Sequence, residues 1–111
     1  MIRAALLWVA ENEQGEIVGV LRGRKDRLHS LFVRGDHHRM GIGRLLMEHF
    51  EQECLPLGSQ KITLAASLYA IPFYQSLGYK KSTGLRAGWS FQGRDLKWQP
   101  MKKVLKIKYF I

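Results

Sequence analysis

The chain has 111 residues, 46% hydrophobic and 24% charged, with a formal net charge of +9. That length allows one domain with a modest core, and that balance excludes a disordered polymer. The excess of basic residues favours anionic partners such as nucleotides, nucleic acid or acidic membranes, although it also serves solubility.

The start, Met1 to Ala10, has an arginine and a short apolar stretch. It lacks the hydrophobic region and cleavage site of a signal peptide, so Ala4 to Ala10 is predicted as a strand. Glu11 to Gly15 is a polar turn, and Glu16 to Leu21 a second strand that completes a hairpin. Arg22 to Arg27 reads as a charged turn. Leu28 to Val33 is apolar on both sides, as in a central strand. Gly41 to Cys54 is the clearest helix, with Ile42, Leu45, Leu46, His49 and Phe50 at helical spacing, closed by Pro56 and Gly58. Lys61 to Ala66 is a strand with Ile62 and Leu64 pointing one way. A second helix runs from Tyr69 to Leu77, with Pro72 in its first turn and Gly78 just beyond its end. Tyr79 opens another strand. Residues 82–95 read as a loop or distorted hairpin. Leu96 to Leu105 is a final strand that Pro100 confines to an edge or a bulge. The order gives an α/β layered domain: a mixed, mostly antiparallel sheet with two helices packed on it.

The lone cysteine, Cys54, permits no intramolecular disulfide, which fits a reducing cytoplasm, and its place on the apolar side of a helix reads as a packed thiol. No apolar run approaches the ~20 residues of a membrane span. The four histidines, His29, His37, His38 and His49, match no zinc spacing, so no metal is expected. Trp8, Trp89 and Trp98 are scattered, which favours packing over nucleic-acid stacking.

The segment His38-Arg39-Met40-Gly41-Ile42-Gly43-Arg44 joins the third strand to the first helix. The first amides of a helix are free and can hold phosphate oxygens. Downstream stands Ala70-Ile-Pro-Phe73-Tyr74-Gln-Ser-Leu-Gly78-Tyr79. Together the two segments resemble the GNAT superfamily of N-acetyltransferases, over roughly residues 5 to 105. The family's turn runs Gln/Arg-x-x-Gly-x-Gly/Ala, and its second pattern Ala-x-x-Phe-Tyr-x-x-x-Gly-Phe. This chain departs at His38, where the family usually has Gln or Arg, and at Gly35, where Pro is common. The family's first strand and first two helices have no counterpart here, so the resemblance implies a single, N-terminally shortened domain over residues 1–111.

The resemblance implies acetyl-CoA as cosubstrate. Its pyrophosphate would lie on the amides of Arg39, Met40, Gly41, Ile42, Gly43 and Arg44, with His38 opening the cofactor-binding turn. Gly41 and Gly43 would let the backbone come close. Leu31, Phe32 and Val33 would occupy the strand that splays from its neighbour at a bulge and pairs with the pantetheine arm, one amide serving as an oxyanion donor. Tyr74 matches the tyrosine whose hydroxyl protonates the leaving thiolate. Ser67 stands where relatives contact CoA, and it also suits a helix cap. No carboxylate occupies the usual place of a general base, and His29 is the titratable residue there.

The leading expectation is therefore a cytoplasmic N-acetyltransferase acting on a small-molecule or peptide amine, without a membrane or nucleic-acid partner. Two alternatives stand beside it: a non-catalytic CoA-binding or oligomerisation module, and a basic protein acting on RNA or aminoacyl-tRNA. The missing first strand would leave a sheet edge open to homodimerisation. The alternating tail Lys102 to Ile111 would extend the last strand or pair with that edge.

Overall fold

The computed structural model describes residues 6–38, 40–89 and 95–105. A single sheet runs in the order β1-β2-β3-β4-β7-β5, with β6 also on β7. Its strands are β1 (Leu6–Glu11), β2 (Ile17–Arg24), β3 (Arg27–Val33), β4 (Lys61–Ser67), β5 (Lys80–Lys81), β6 (Arg86–Trp89) and β7 (Asp95–Val104). Helix α1 (Ile42–Cys54) joins β3 to β4, and α2 (Ile71–Ser76) follows β4. Every pair is antiparallel except β3 with β4. A parallel pair needs a crossover, and α1 supplies it.

Side-chain alternation places one face of the sheet under both helices. Leu6, Trp8 and Ala10 pair with Gly23, Leu21 and Gly19, which in turn pair with Leu28, Leu31 and Val33. Gly19 and Gly23 let α1 come down on the sheet. A Cβ at 19 would stand 3.0 Å from Ile42 and Leu46 side-chain carbons, and one at 23 would stand 2.9 Å from the Phe50 ring. Leu46, Met47, Phe50 and Cys54 of α1 are buried there with Ile62, Leu64, Ala66 and Met101. Tyr74 of α2, with Leu77 and Tyr79 just beyond that helix, closes the same core. Each large side chain so buried contributes ~1.5–3 kcal/mol. On the other face Leu7, Val9, Ile17 and Phe32 are exposed.

Three expectations change. Arg22 to Arg24 is strand and not turn, because Arg22 and Arg24 point outward while Gly23 lies beneath Phe50. The chain reverses at Lys25 and Asp26 alone, Asp26 taking φ 72°. The second helix is shorter than Tyr69–Leu77. Ser67 Oγ accepts from the Ala70 amide to cap a 3-10 turn over Leu68–Ala70, and Pro72 in the first turn of α2 suits a fresh start there. Of the two readings of residues 82–95 the hairpin holds, since β6 pairs antiparallel with the start of β7. Pro100 sits in a strand paired on both sides, opposite Ala65 of β4. The other side of β7 passes there from β5 to β6, and Pro100 O accepts from the Ser82 amide in that gap, so no ladder bond needs the missing N–H. The tail beyond Leu105 lies outside the described residues, as do Ala4 and Ala5 of the expected first strand.

Candidate acetyl-CoA site

Strands β3 and β4 pair only at Arg27 and Thr63. Beyond that point they diverge, so alternate backbone groups of β3 face a gap instead of a ladder. Opposite Arg22 and Gly23, β3 carries one extra residue, His29. This bulge reverses the alternation, bringing Leu31 and Val33 to the helix side with Leu28 and turning Phe32 outward.

The gap opens into a cleft of about 580 Å³. Leu31, Phe32 and Val33 line it from β3; His37, His38, Gly41, Ile42, Gly43 and Arg44 from the loop and the start of α1; Ser67 from the end of β4; Tyr69, Ala70, Phe73, Tyr74 and Ser76 from around α2. Most residues assigned from the resemblance thus meet in one place. Met40 is 65% exposed and outside the lining, and Arg39 lies outside the described residues. His29 also stands outside the lining, exposed on the face away from the helices. The sequence reading missed His37, Tyr69, Ala70, Phe73 and Ser76 as lining residues.

Helix α1 begins without a side-chain cap and without an acidic residue in its first turn. Its first amides and its positive dipole end are therefore uncompensated. The two glycines have different jobs. Gly41 precedes the helix with φ 79°, a left-handed backbone, and a Cβ there would meet nothing within 4 Å. At Gly43 a Cβ would stand 3.0 Å from Phe73 Cζ, so this glycine lets α1 pack on α2.

The loop before α1 is held by charge. Arg34 Nε and Nη2 donate to the Asp36 carboxylate at 2.7 and 2.9 Å, and Arg34 Nη1 donates to Glu16 at 3.4 Å. The Arg34 guanidinium, and then His37, hold the Asp36 carboxyl far below its ordinary range. His38 Nε2 lies 2.7 Å from Val33 O and donates to it, tying the loop to the end of β3.

Tyr74 is buried, its ring edge-on to Phe73 at 5.1 Å and to Tyr79 at 5.9 Å. Burial alone pushes its phenol up to about 12. Tyr79 donates to Glu51 Oε2 at 2.9 Å, while Lys103 donates to Glu51 Oε1 at 2.8 Å, so this second tyrosine is a structural partner of α1. Cys54 is fully buried, and burial pushes its thiol up, which keeps it neutral and inert. Among the described residues no group of three metal-ligating side chains occurs, and no helix is long and apolar enough to cross a membrane.

The profile of the acetyltransferase (GNAT) domain matches residues 1–105. The chain belongs to the GNAT family of acetyltransferases. N-acetyltransferase 8 of Homo sapiens is 32% identical over 93 residues, covering 72% of this chain and 40% of that protein. The peptidyl-lysine N-acetyltransferase YjaB of Salmonella typhimurium is 33% identical over 76 residues, covering 68% of this chain and 51% of that protein. This GNAT chain thus spans about half or less of the length of those two relatives. A GCN5-related N-acetyltransferase from Rhodopseudomonas palustris superposes with a TM-score of 0.84 at 25% identity, covering 91% of this chain and 62% of that one.

Proposed function

We propose that this chain transfers an acetyl group from acetyl-CoA to a primary amine, which attacks the thioester directly. The observation that carries the reading is the meeting, in one cleft, of an uncapped helix start and a strand edge without a ladder partner. Bound acetyl-CoA supplies an acetyl group already activated as a thioester. Amides at Gly41 to Arg44 hold its pyrophosphate, and Arg44 adds a full charge beside them. The edge of β3 at Leu31 to Val33 pairs with the extended arm, and one amide there donates to the thioester oxygen as charge develops on it.

Tyr74 meets the departing sulfur. A phenol at about 12 lies about 3.5 pKa units above a thiol near ~8.5, so full proton transfer would be uphill by about 5 kcal/mol. The stronger role for Tyr74 is a hydrogen bond to the sulfur while the carbon–sulfur bond breaks. The proton that completes the thiol comes in the end from the amine.

The Salmonella relative is a peptidyl-lysine N-acetyltransferase, which puts peptidyl-lysine first among acceptors to test. Incubation with acetyl-CoA and peptides bearing an N-terminal or a lysine amine is expected to yield free CoA thiol and acetylated peptide in equal amounts. CoA release without acetylated peptide, or no release with any amine, would reject the reading.

A further inference from the structure

The face of the sheet away from the helices carries a row of cations. Arg24 pairs with Arg27, Arg27 with Thr63, Thr63 with Lys102, and Lys102 with Lys80. All five point away from the helices, because their neighbours Gly23, Leu28, Ile62 and Tyr79 face the core and Lys103 reaches Glu51 on α1. The row crosses five strands, a span of about 19 Å at the usual strand spacing. It holds four positive charges and no carboxylate. None of the four has an ion-pair partner among the described residues.

Like charges placed directly opposite on neighbouring strands destabilise a sheet. Arg24 with Arg27 and Lys102 with Lys80 are two such pairs. Between them Arg27 Nη1 donates to Thr63 Oγ1 at 3.2 Å, which fixes one guanidinium at the middle of the row. The neighbouring His29 ring is held below its usual range by burial and by Arg24, Arg22 and Arg27, which places Arg22 in the same positive field.

The position of the row matters as much as its charge. It passes through Arg27 and Thr63, the point from which β3 and β4 diverge to form the cleft. We propose that this row docks an acidic peptide segment that presents the acceptor amine to the cleft. The inference rests on the acetyl-transfer reading above and adds the class of acceptor. An extended peptide of about six residues covers the span. Its carboxylates neutralise the paired cations, and an amine a few residues away enters the gap between β3 and β4. Single-stranded nucleic acid is the lesser fit, since the row has no aromatic ring on which a base could stack.

The test uses the full chain and fluorescence anisotropy with three probes: a labelled Glu-rich hexapeptide containing one lysine, the same peptide with Gln for Glu, and a labelled RNA hexamer. Variants are Arg24→Glu with Lys102→Glu, and the milder Arg24→Gln with Lys102→Gln. The Glu peptide is expected to bind about tenfold more tightly than the Gln peptide, and the double reversal to remove about tenfold or more. The Gln variant should fall between, and the melting temperature of both should equal or exceed that of the parent, because repulsion has been relieved. Equal binding of the two peptides, or no loss on reversal, would overturn the proposal. Tight binding of RNA but not of the Glu peptide would overturn it in favour of a nucleic-acid surface. Acetyl-CoA is titrated into the same samples. Failure of acetyl-CoA alone to bind would sink the transferase reading, whereas failure of the Glu peptide alone would sink only the acidic acceptor.

Discussion

Replacing Tyr74 by Phe is expected to lower kcat for acetyl transfer about 10²-fold, the usual cost of removing one donor aimed at developing charge. The affinity for acetyl-CoA should stay within about twofold, because the hydroxyl's bond to sulfur strengthens only as the carbon–sulfur bond breaks. The ring stays, and with it the edge-on contacts to Phe73 and Tyr79. The melting temperature should therefore change little. The pH profile separates a hydrogen-bond donor from an ionising group. Burial holds the Tyr74 phenol at about 12, so it remains protonated throughout an assay between pH 6 and about 10. Parent and variant should then share one alkaline limb. A limb near pH 10 present in the parent and absent in the variant would show that Tyr74 ionises during turnover.

Phe50→Ala should cost about 3–5 kcal/mol of stability. Phe50 is fully buried and lies against Gly23, which has no side chain to fill the space left behind. Domains of this size are stable by only about 5–15 kcal/mol, so the melting temperature should drop on the order of 15 °C. A drop below about 5 °C would mean that α1 does not rest on the β2 glycines as described.

Much of the fold was legible because its signals are local. The apolar spacing from Ile42 to Phe50, the polar turn before Gly15 and the glycine after α2 each match what the structure shows. The misread stretches depend on what lies across from them. Arg22-Gly23-Arg24 looks like a turn until α1 is placed over Gly23. Pro100 looks like an edge signal until β5 and β6 are seen to divide there. The bulge at His29 leaves no mark in composition, yet it decides that Leu31 and Val33 face the helix side.

The cleft was legible for a different reason. Its backbone parts, the glycine turn and the edge of β3, follow from the family resemblance, because a Gly-x-Gly turn alone is common and a splayed strand reads in sequence like a paired one. Its side-chain walls do not. His37 enters through a 3-10 turn that Arg34 and Asp36 hold in place, and Phe73 enters because Gly43 leaves room for it. The Gly43–Phe73 contact joins segments far apart in the chain, so neither segment alone reveals it, while the Arg34–Asp36 pair is local but leaves no pattern that marks a cleft wall.

Calorimetric titration with acetyl-CoA tests the central claim most directly, namely that the start of α1 and the free edge of β3 together form the cosubstrate site. The parent chain should bind one equivalent saturably. Gly43→Val would place a branched side chain where a Cβ alone already meets Phe73 at 3.0 Å. It should displace the start of α1 and weaken binding about tenfold or more, with the remaining structure checked by its melting curve. Absence of saturable binding by the parent, or equal binding by a folded Gly43→Val chain, would contradict the account.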